Sequence, residues 1–338
     1  MVFKTIREKN AAPKLVLIGN FGAGNIGDEL ILAGFLKKIS RELPKAKVTV
    51  LAGEPKLVRR FHGVDALPHI PTGVKSFFRG AWWRSLKKIR ESDAVIFPGG
   101  GLFSDEESPQ AVWIWGAHIL LARYFWRPVF LLGQSIGPFR ATWAQNFTRF
   151  CLKKTEWIGV RDLASESELK RIGVASKKIK LSRDSSFWLV NRLPKVKKTK
   201  LSGRIKILVS VRNFPRIDPR FWGQLARTLD AITDKFHARI FFAEFGGGDR
   251  EAWKKIRRKA KHASSWKVLE LPESAEGILK EIKKNNLVIG MRLHSLIAAQ
   301  ITGVPAIGLA YSRKVEAFAE NIISVSGFKK EQLLKILH

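Results

Sequence analysis

The sequence predicts an α/β protein made of two Rossmann-like, doubly wound domains that face a cleft. Three observations favour this class. Apolar strand-like runs alternate with helical patterns, the 338 residues exceed what a single hydrophobic core usually holds, and a basic polar segment interrupts the alternation past the middle of the chain. Near-continuous apolar strands separated by helices are typical of a parallel sheet covered on both faces.

The N-terminal half contains the first series of strands and helices. Its strand-like runs are LVLIGN (15–20), KVTVLAG (47–53), AVIFPGGG (94–101), PVFLLGQS (128–135) and EWIGVRD (156–162). We expect one helix near 28–43 and another in SESELKRIG, which follows the last run. The apolar segment 111–126 contains His118 and Arg123, and it is shorter than the roughly 20 apolar residues that span a bilayer. We therefore predict a buried helix there.

The second series begins after a segment rich in lysine, proline and glycine. Its strand-like runs are IKILVSVRN (205–213), ARIFFAEFGGGD (238–249), NNLVIG (285–290) and VPAIGL (304–309). We predict an N-terminal domain over 1–192, a linker over 193–204, a C-terminal domain over 205–325 and a C-terminal helix over 326–338. In doubly wound sheets, ligands bind at the carboxyl ends of the strands, so the residues that follow each strand are the first candidates for a site.

The composition limits the classes of protein and partner. The 61 Lys and Arg residues against 29 Asp and Glu give a formal net charge of +32. Such a surface attracts nucleic acid, anionic lipid or phosphorylated substrates, although solvated lysines without a partner give the same total. The single cysteine, Cys151, excludes an internal disulfide and a cysteine-rich zinc site. The basic N-terminus has no apolar core of a secretory signal behind it, so we expect a cytoplasmic protein.

Glycine-rich turns follow two strands of the first series. The run GNFGAGNIGDE brings Gly24, Asn25 and Gly27 to the start of a helix, where backbone N–H groups can approach a ligand. Its spacing matches neither the dinucleotide fingerprint nor the P-loop. Asp28 either caps that helix or has a chemical role. Gly100 and Gly101 form either a turn or a stretch of backbone that lies against substrate.

Arginine follows a strand at three places in the sequence. Arg161, Arg212 and Arg292 come after separate strand-like runs, and together they favour a pocket for a ligand with more than one negative group. His294 lies where the strand before Arg292 ends and a helix of small residues begins. Two interpretations stay open: His294 caps the helix while Arg292 is solvated, or both belong to an anion site in which His294 moves a proton.

Several motifs and their order resemble the polysaccharide pyruvyl transferase family. They are GNIGDE, PGGGLF, GQSIGP, VRD and the long GMRLHSLIAAQITGVPAIGLAYSRKVEAF, and the likeness runs from about residue 14 to about residue 320. The resemblance implies a GT-B-like fold and transfer of pyruvate from phosphoenolpyruvate to two hydroxyls of one sugar as a ketal. It implies a glycan or lipid-linked sugar acceptor of the cell wall or capsule, and neither a metal nor a cofactor besides the donor substrate.

The resemblance also suggests roles for individual residues. His294 is expected to be the acid, and Asp28, across the cleft, the base. Arg161, Arg212, Arg292 and Lys314 are expected to hold phosphoenolpyruvate, and the backbone at Gly24, Asn25, Gly27, Gly100 and Gly101 to lie near a ligand. The run AEFGGGD is richer in glycine than the family pattern, so Asp249 receives no role.

The segment KSFFRGAWWRSLKKIR (75–90) mixes Phe77, Phe78, Trp82 and Trp83 with six basic residues. It predicts either an interfacial helix on an anionic membrane, which implies a peripheral location on the inner membrane face, or a helix whose aromatic residues lie in the core. Two other functions remain open for the chain. One is a GT-B glycosyltransferase with a nucleotide-sugar donor, and the other is a protein that binds nucleic acid through its charge alone. The sequence has no motif for specific nucleic-acid binding.

Overall fold

Two parallel β-sheets organise the computed structural model, one in each of two units, Met1–Leu189 and Val190–His338. The structure describes residues 2–71, 82–106, 108–196, 205–312, 315, 318 and 321–336. The division between the units follows Leu189, and the predicted linker 193–204 lies beyond it, with 197–204 outside the described residues.

The sheet of the first unit has eight strands in the order β3-β2-β1-β4-β6-β7-β8, with β5 paired to β6. They are β1 (Lys14–Ile18), β2 (Lys47–Ala52), β3 (Asp65–Pro68), β4 (Ala94–Phe97), β5 (Gly100–Phe103), β6 (Val129–Ile136), β7 (Trp157–Val160) and β8 (Ile179–Leu181). Every described pairing is parallel. The chain order reverses between β1 and β4, which makes this the switch point of the sheet.

Helices connect these strands, as a parallel sheet requires. They are α1 (Val2–Lys9), α2 (Ile26–Glu42), α3 (Pro55–His62), α4 (Trp82–Glu91), α5 (Pro109–Tyr124), α6 (Thr142–Leu152) and α7 (Leu163–Arg171), with 3₁₀ turns at Ser176–Lys178 and Ser185–Leu189. Local sequence sets several of the boundaries. The Glu54 side chain caps α3, whose first residue is a proline, and Gly63 ends it with a φ of 64°.

The sheet of the second unit has six parallel strands in the order β11-β10-β9-β12-β13-β14. They are β9 (Lys206–Ser210), β10 (Arg239–Ala243), β11 (Lys267–Leu269), β12 (Leu287–Gly290), β13 (Ala306–Ala310) and β14 (Asn321–Ser324). The helices are α8 (Pro219–Phe236), α9 (Asp249–Arg257), α10 (Ala275–Lys283), α11 (Leu293–Thr302) and α12 (Lys330–Ile336). The order 3-2-1-4-5-6 is that of a dinucleotide-binding Rossmann sheet, and its switch point lies between β9 and β12.

Each unit has its own hydrophobic core. In the second unit, β9 and β12 pack against α8 and α9 through residues such as Val209, Ile289, Leu225 and Trp253. In the first unit, one cluster lies on each face of the sheet: the first includes Val95, Leu131 and Cys151, and the second includes Leu17, Phe35 and Ile96. This distribution is the one expected for doubly wound sheets, because helices cover both faces.

Three details differ from the sequence-based expectations. The run 94–101 is two strands, β4 and the start of β5, so Gly100 and Gly101 belong to a strand and do not form a turn. Helix α5 is buried along one face only, since Trp113 is 51% exposed and Tyr124 76% exposed. In the segment 75–90, the described part from residue 82 on is helical, and Trp83 is 56% exposed, so this ring does not lie in the core.

Phe77 and Phe78 lie outside the described residues. No helix in the described part of the chain is long and apolar enough to cross a membrane.

Candidate functional site

The switch point of the first sheet carries the glycine-rich turn and Asp28. Asn25 caps α2, because its Oδ1 accepts a hydrogen bond from Gly27 N at 3.0 Å. The interpretation of Asp28 as the cap is therefore wrong: this carboxylate lies three residues further on, in the first turn. Its Oδ2 accepts hydrogen bonds from Asn20 Nδ2 at 2.9 Å and from Asn25 Nδ2 at 2.8 Å. These two amides fix the orientation of a carboxylate that is only 8% exposed.

Glu29 and His62 hold the rest of the turn. Gly22 N donates to Glu29 Oε1 at 2.7 Å, and His62 Nε2 lies 2.7 Å from Glu29 Oε2. Both side chains are almost completely buried. Sequence analysis gave neither residue a role, because His62 lies at the end of another helix and nothing in the sequence links the two.

Glycine lets the backbone pass close to Asp28. Gly100 has a φ of 104°, and a Cβ there would lie 3.6 Å from Asp28 Oδ1. Gly24 has a φ of 74°, and a Cβ built on it would meet no described atom within 4 Å. Gly24 and Gly101 are exposed, whereas Gly27 and Gly100 are buried. The expected contact of this backbone with a ligand stays a prediction.

Arg161 lies in the first unit, where a buried acid pairs with it. Its Nη1 donates to Asp184 Oδ2 at 2.5 Å, and its Nε donates to Ser135 Oγ at 2.8 Å. The Arg161 side chain is 4% exposed and that of Asp184 is 0% exposed. The pair joins the ends of β6 and β7 to the segment after β8, which is a structural task. A role of Arg161 toward phosphoenolpyruvate stays a prediction.

The second switch point brings two of the predicted arginines to one edge of the sheet. Ser210 at the end of β9 pairs with Gly290 at the end of β12, and Met291 N donates to Ser210 O at 2.7 Å. Arg212 and Arg292 each lie two residues past this pair. The chain therefore leaves adjacent strands at both arginines, at the edge where doubly wound folds bind ligands.

Arg292 is held by the glycine-rich turn after β10. Its Nε and Nη2 donate to Asp249 Oδ1 at 2.9 and 2.6 Å, and Nη2 also donates to Gly247 O at 2.7 Å. Asp249 Oδ2 in turn accepts from the backbone N–H groups of Phe245 and Gly246. Burial raises the pKa of the Asp249 carboxyl, while the hydrogen bonds and the charge of Arg292 oppose that shift. The expectation of a solvated Arg292 is wrong, since this side chain is 12% exposed and paired.

Glycine is required at this turn for steric reasons. A Cβ on Gly246 would lie 3.1 Å from Arg292 Nη2, and Gly248 begins α9 with a φ of 84°. The guanidinium thus accounts for Gly246, and the positive φ accounts for Gly248, whereas a Cβ on Gly247 would meet no described atom within 4 Å. Asp249 had no role in the sequence analysis, and the structure gives it one as the partner of Arg292.

His294 and Arg212 are two further polar residues that follow these strands. Arg292 is the N-terminal cap residue of α11 by backbone position, and among the described residues its side chain makes no capping hydrogen bond. His294 is half-buried in the first turn of α11, one residue past Leu293, so it does not cap the helix. Arg212 Nη1 donates to Tyr311 Oη at 3.1 Å, and the guanidinium lies 5.8 Å from the Phe214 ring centroid. Lys314 lies outside the described residues.

Solved structures establish the class of fold. UDP-GlcNAc 2-epimerase from Methanocaldococcus jannaschii matches with a TM-score of 0.61 and 14% identity, over 96% of this chain and 91% of that chain. HepE from Anabaena in complex with UDP-glucose matches with a TM-score of 0.62 and 12% identity, over 96% of this chain and 88% of that one. At such low identity the likeness concerns the fold alone. The predicted class, two Rossmann-like domains of the GT-B-like type, is confirmed.

The family follows from the sequence comparison. Residues 25–313 match the family model of polysaccharide pyruvyl transferase. The chain belongs to this family of transferases, and the resemblance noted in the motifs is confirmed. The amylovoran biosynthesis protein AmsJ of Erwinia amylovora is 21% identical to it over 354 residues, which cover 89% of this chain and 84% of AmsJ.

Proposed function

We propose that this chain transfers pyruvate from phosphoenolpyruvate to two hydroxyl groups of one sugar, forming a cyclic ketal. Family membership supports the class of reaction. The observation that carries the proposal is the register of the second sheet, in which Ser210 pairs with Gly290. Because of this register, Arg212 and the first turn of α11 follow adjacent strand ends. The Arg212 guanidinium, the N-terminus of α11 and the His294 imidazole therefore belong to one edge of the sheet.

We assign fewer arginines to the donor site than the sequence suggested. Phosphoenolpyruvate carries a phosphate and a carboxylate, and guanidinium groups and helix N-terminal N–H groups suit both. Asp249 neutralises much of the charge of Arg292, so we assign Arg292 to shaping the turn and Arg212 with α11 to binding. Tyr311 becomes a further candidate, because its hydroxyl accepts from Arg212. Lys314 keeps the donor-binding role that the resemblance implies.

The chemistry requires one acid and one base. A proton is delivered to the methylene carbon of phosphoenolpyruvate, which leaves an oxocarbenium-like carbon for a sugar hydroxyl to attack. Phosphate then departs, and a second hydroxyl closes the ring. Of the two hydroxyl protons, one balances the proton placed on the new methyl group and the other leaves with phosphate. We assign delivery of the proton to His294 and acceptance of a hydroxyl proton to Asp28.

For the acceptor, we propose a glycan or lipid-linked sugar of a secreted or surface polysaccharide. The support is the family description and the part that AmsJ takes in amylovoran biosynthesis.

Thermal unfolding in the presence of ligands tests the donor. A ligand at a hundred times its Kd stabilises the folded state by about 2.7 kcal/mol, so phosphoenolpyruvate should raise the Tm measurably. Arg212→Ala should remove this shift. Arg220→Ala is the matched control in the same unit, since the Arg220 side chain is 89% exposed, and it should keep the shift.

The same measurement separates the rival donor. Solved proteins of this fold include a complex with UDP-glucose, so UDP belongs in the ligand set. Stabilisation by UDP without stabilisation by phosphoenolpyruvate would replace the proposal with a nucleotide-sugar transferase. Stabilisation by short nucleic acid alone, lost as salt is added, would indicate binding by charge only.

Turnover tests the assignment of His294. Incubation with phosphoenolpyruvate and candidate sugars should release phosphate and add the mass of a pyruvyl group to the sugar. His294→Gln should keep the Tm shift with phosphoenolpyruvate but lower the rate by roughly 10²–10⁴-fold, which is typical for loss of a general acid. An unchanged rate would remove His294 from the mechanism and leave donor binding untouched.

A further inference from the structure

The first unit exposes several aromatic rings on two neighbouring helices. Trp113 on α5 is 51% exposed, and Trp143 and Phe150 on α6 are 49% and 52% exposed. Tyr124 at the end of α5 is 76% exposed, and Trp126 just beyond it is 83% exposed. These five residues define the α5–α6 aromatic face. Exposed apolar side chains mark an interaction surface when they form one large patch.

The two helices that carry these rings pack closely against each other. Gly116 allows the approach, since a Cβ there would lie 2.4 Å from Phe147. The Trp113 ring stacks on the Phe147 ring with a centroid distance of 4.9 Å. On α6, Trp143, Phe147 and Phe150 recur at i, i+4 and i+7, and on α5 Trp113 and Tyr124 lie about three turns apart. Each set therefore follows one side of its helix.

The chain projects Trp126 at a conformational cost. Trp126 has a φ of 58°, a left-handed conformation that is unfavourable for a bulky residue. Hydrogen bonds from Trp126 N to Arg123 O and from Arg127 N to Ala122 O hold this turn. These two bonds form a Schellman-type helix end, in which Trp126 is the left-handed residue that follows α5, and its ring is left exposed.

The charge around these rings is mainly positive, with Glu156 paired to Arg123 at 3.0 Å near the end of α5. The sequence contains no Asp or Glu between Glu107 and Glu156, a stretch that includes both helices. Arg140, Arg149, Lys153 and Lys154 in this stretch are exposed, and Lys154 Nζ lies 4.7 Å from the Phe150 ring centroid. Exposed Trp and Tyr rings interleaved with cations are the composition that suits the headgroup region of an anionic bilayer.

We propose that the α5–α6 aromatic face docks this protein on a membrane that contains anionic lipid. Tryptophan and tyrosine would enter the interface, and the surrounding cations would lie over anionic headgroups. A second copy of the chain fits this face less well, because two surfaces with an excess of positive charge would repel each other. Single-stranded nucleic acid fits less well too, since Phe147 already covers one face of Trp113. The proposal does not depend on the identity of the donor.

Flotation with vesicles tests the surface. The full chain is mixed with vesicles of phosphatidylcholine alone or with added phosphatidylglycerol, at about 0.1 M salt so that long-range attraction is screened. We expect binding to the anionic vesicles only. Trp143→Ser/Phe150→Ser and Lys153→Gln/Lys154→Gln should each weaken binding by about tenfold or more. Trp83→Ser, which removes an exposed ring from α4, is the matched control and should bind as the wild type does.

A fluorescent label on α6 gives a second readout, which does not depend on variants that lower vesicle binding. Asn146 is exposed on α6 between the two mutated rings. Asn146→Cys can be labelled with an environment-sensitive fluorophore, because native Cys151 is buried and burial raises the pKa of its thiol to about 12. We expect a blue shift of the label with anionic vesicles. The same label on Ser176→Cys, in the 3₁₀ turn Ser176–Lys178, should not shift.

Several outcomes would overturn the proposal. One is equal binding of the aromatic double variant and the wild type, with no shift of the label at residue 146. Another is loss of binding in Trp83→Ser alone, which would assign the membrane contact to α4. A change in sedimentation of the double variant without a change in flotation would assign the face to a second copy. A spectral shift of the label with oligonucleotide but not with vesicles would assign the face to nucleic acid.

Discussion

At the scale of single residues, the three arginines that follow strands in the sequence differ in the groups that their guanidinium groups contact. Arg161 is paired with Asp184, and Arg292 with Asp249, in both cases with little exposure to solvent. Arg212 instead contacts the hydroxyl of Tyr311 and two aromatic rings. A guanidinium that already neutralises a buried carboxylate has less charge to offer an anionic ligand, so the three residues should respond differently to mutation.

Replacing Arg292 should damage the fold before it reports on catalysis. Arg292→Ala leaves the Asp249 carboxylate buried without its charge partner, and breaking a buried pair in this way costs about 3–5 kcal/mol. Chemical denaturation should show this loss in the free energy of unfolding.

The double variant separates loss of charge pairing from loss of packing. Asp249→Asn/Arg292→Ala no longer buries an uncompensated charge, so it should recover part of the stability that Arg292→Ala loses. Arg220→Ala, at an exposed pair, should change the free energy of unfolding by about 1 kcal/mol or less. Equal stability of the single and double variants would show that the pairing contributes little.

His118 makes the first unit sensitive to acid. His118 Nδ1 lies 2.8 Å from Ile114 O, and its Nε2 accepts from Ile70 N at 3.2 Å, so the neutral ring satisfies both contacts. Burial lowers the pKa of His118 to about 4. Burial, and then repulsion from His118, lower the pKa of the neighbouring His69 to about 3. Both rings are therefore neutral in the folded state at pH 7.

Stability should fall as the pH drops below about 6.5, the pKa of an unfolded histidine. The unfolded chain binds protons that the two folded rings do not bind. Each ring therefore lowers the free energy of unfolding by about 1.4 kcal/mol per pH unit until its folded pKa is reached. His118→Gln keeps an acceptor for Ile70 but cannot be charged. Between pH 6.5 and 5, the free energy of unfolding of His118→Gln should fall less steeply than that of the wild type. The two slopes should differ by about 1.4 kcal/mol per pH unit, which corresponds to one proton. Parallel pH profiles would contradict this.

At the scale of elements, burial decided which strands the sequence could reveal. The interior strands β1, β4, β6, β9 and β12 are apolar runs with most residues buried, and sequence analysis found all of them. It missed β3, β8, β11 and β14, which are the two edge strands of each sheet. Edge strands are short and partly exposed, so they lack an apolar run. In β8, for example, Ile179 is buried while Lys180 and Leu181 are exposed.

The site could be predicted where a single stretch of chain determines it. The positions of Arg212, Arg292 and His294 after strands were evident from the apolar runs before them. The pairing of Arg292 with Asp249 was not, because 43 residues separate them and either residue alone suits a surface. The same holds for His62 and Glu29. Contacts between distant segments depend on strand order, which local patterns do not encode.

Two glycines inside helices predict opposite responses to alanine. Gly34 in α2 packs against the 3₁₀ turn Ser185–Leu189, and a Cβ there would lie 2.1 Å from Ser185 O. Backbone must move to admit it, so Gly34→Ala should lower the free energy of unfolding by about 1–3 kcal/mol or more. Gly223 in α8 is the matched control, because its added Cβ would meet only the ends of Lys259 and Arg227. Gly223→Ala should be neutral or stabilising by up to about 1 kcal/mol. Thermal unfolding of both variants checks this, and equal losses would contradict it.

At the scale of the whole molecule, the division into two units is also a division of hydrophobic cores. The buried cluster that includes Val209, Trp253 and Phe328 lies entirely in Val190–His338. The clusters around Leu131 and Phe35 lie entirely in Met1–Leu189. A unit that closes its own core and its own six-stranded sheet has what independent folding requires. The elements of the proposed donor site that are described, Arg212, Tyr311 and α11, belong to the same unit.

These facts predict that residues 190–338 fold and recognise the donor without the rest of the chain. The fragment should unfold in one cooperative transition, and its near-ultraviolet circular dichroism should show ordered tryptophan, because Trp222, Trp253 and Trp266 are buried in this unit. Phosphoenolpyruvate near saturation should raise its Tm by roughly 5 °C, and Arg212→Ala in the fragment should remove that shift. A folded fragment that ignores phosphoenolpyruvate, while the full chain responds to it, would show that residues of the first unit, with Arg161 the first to test, are needed to hold the donor.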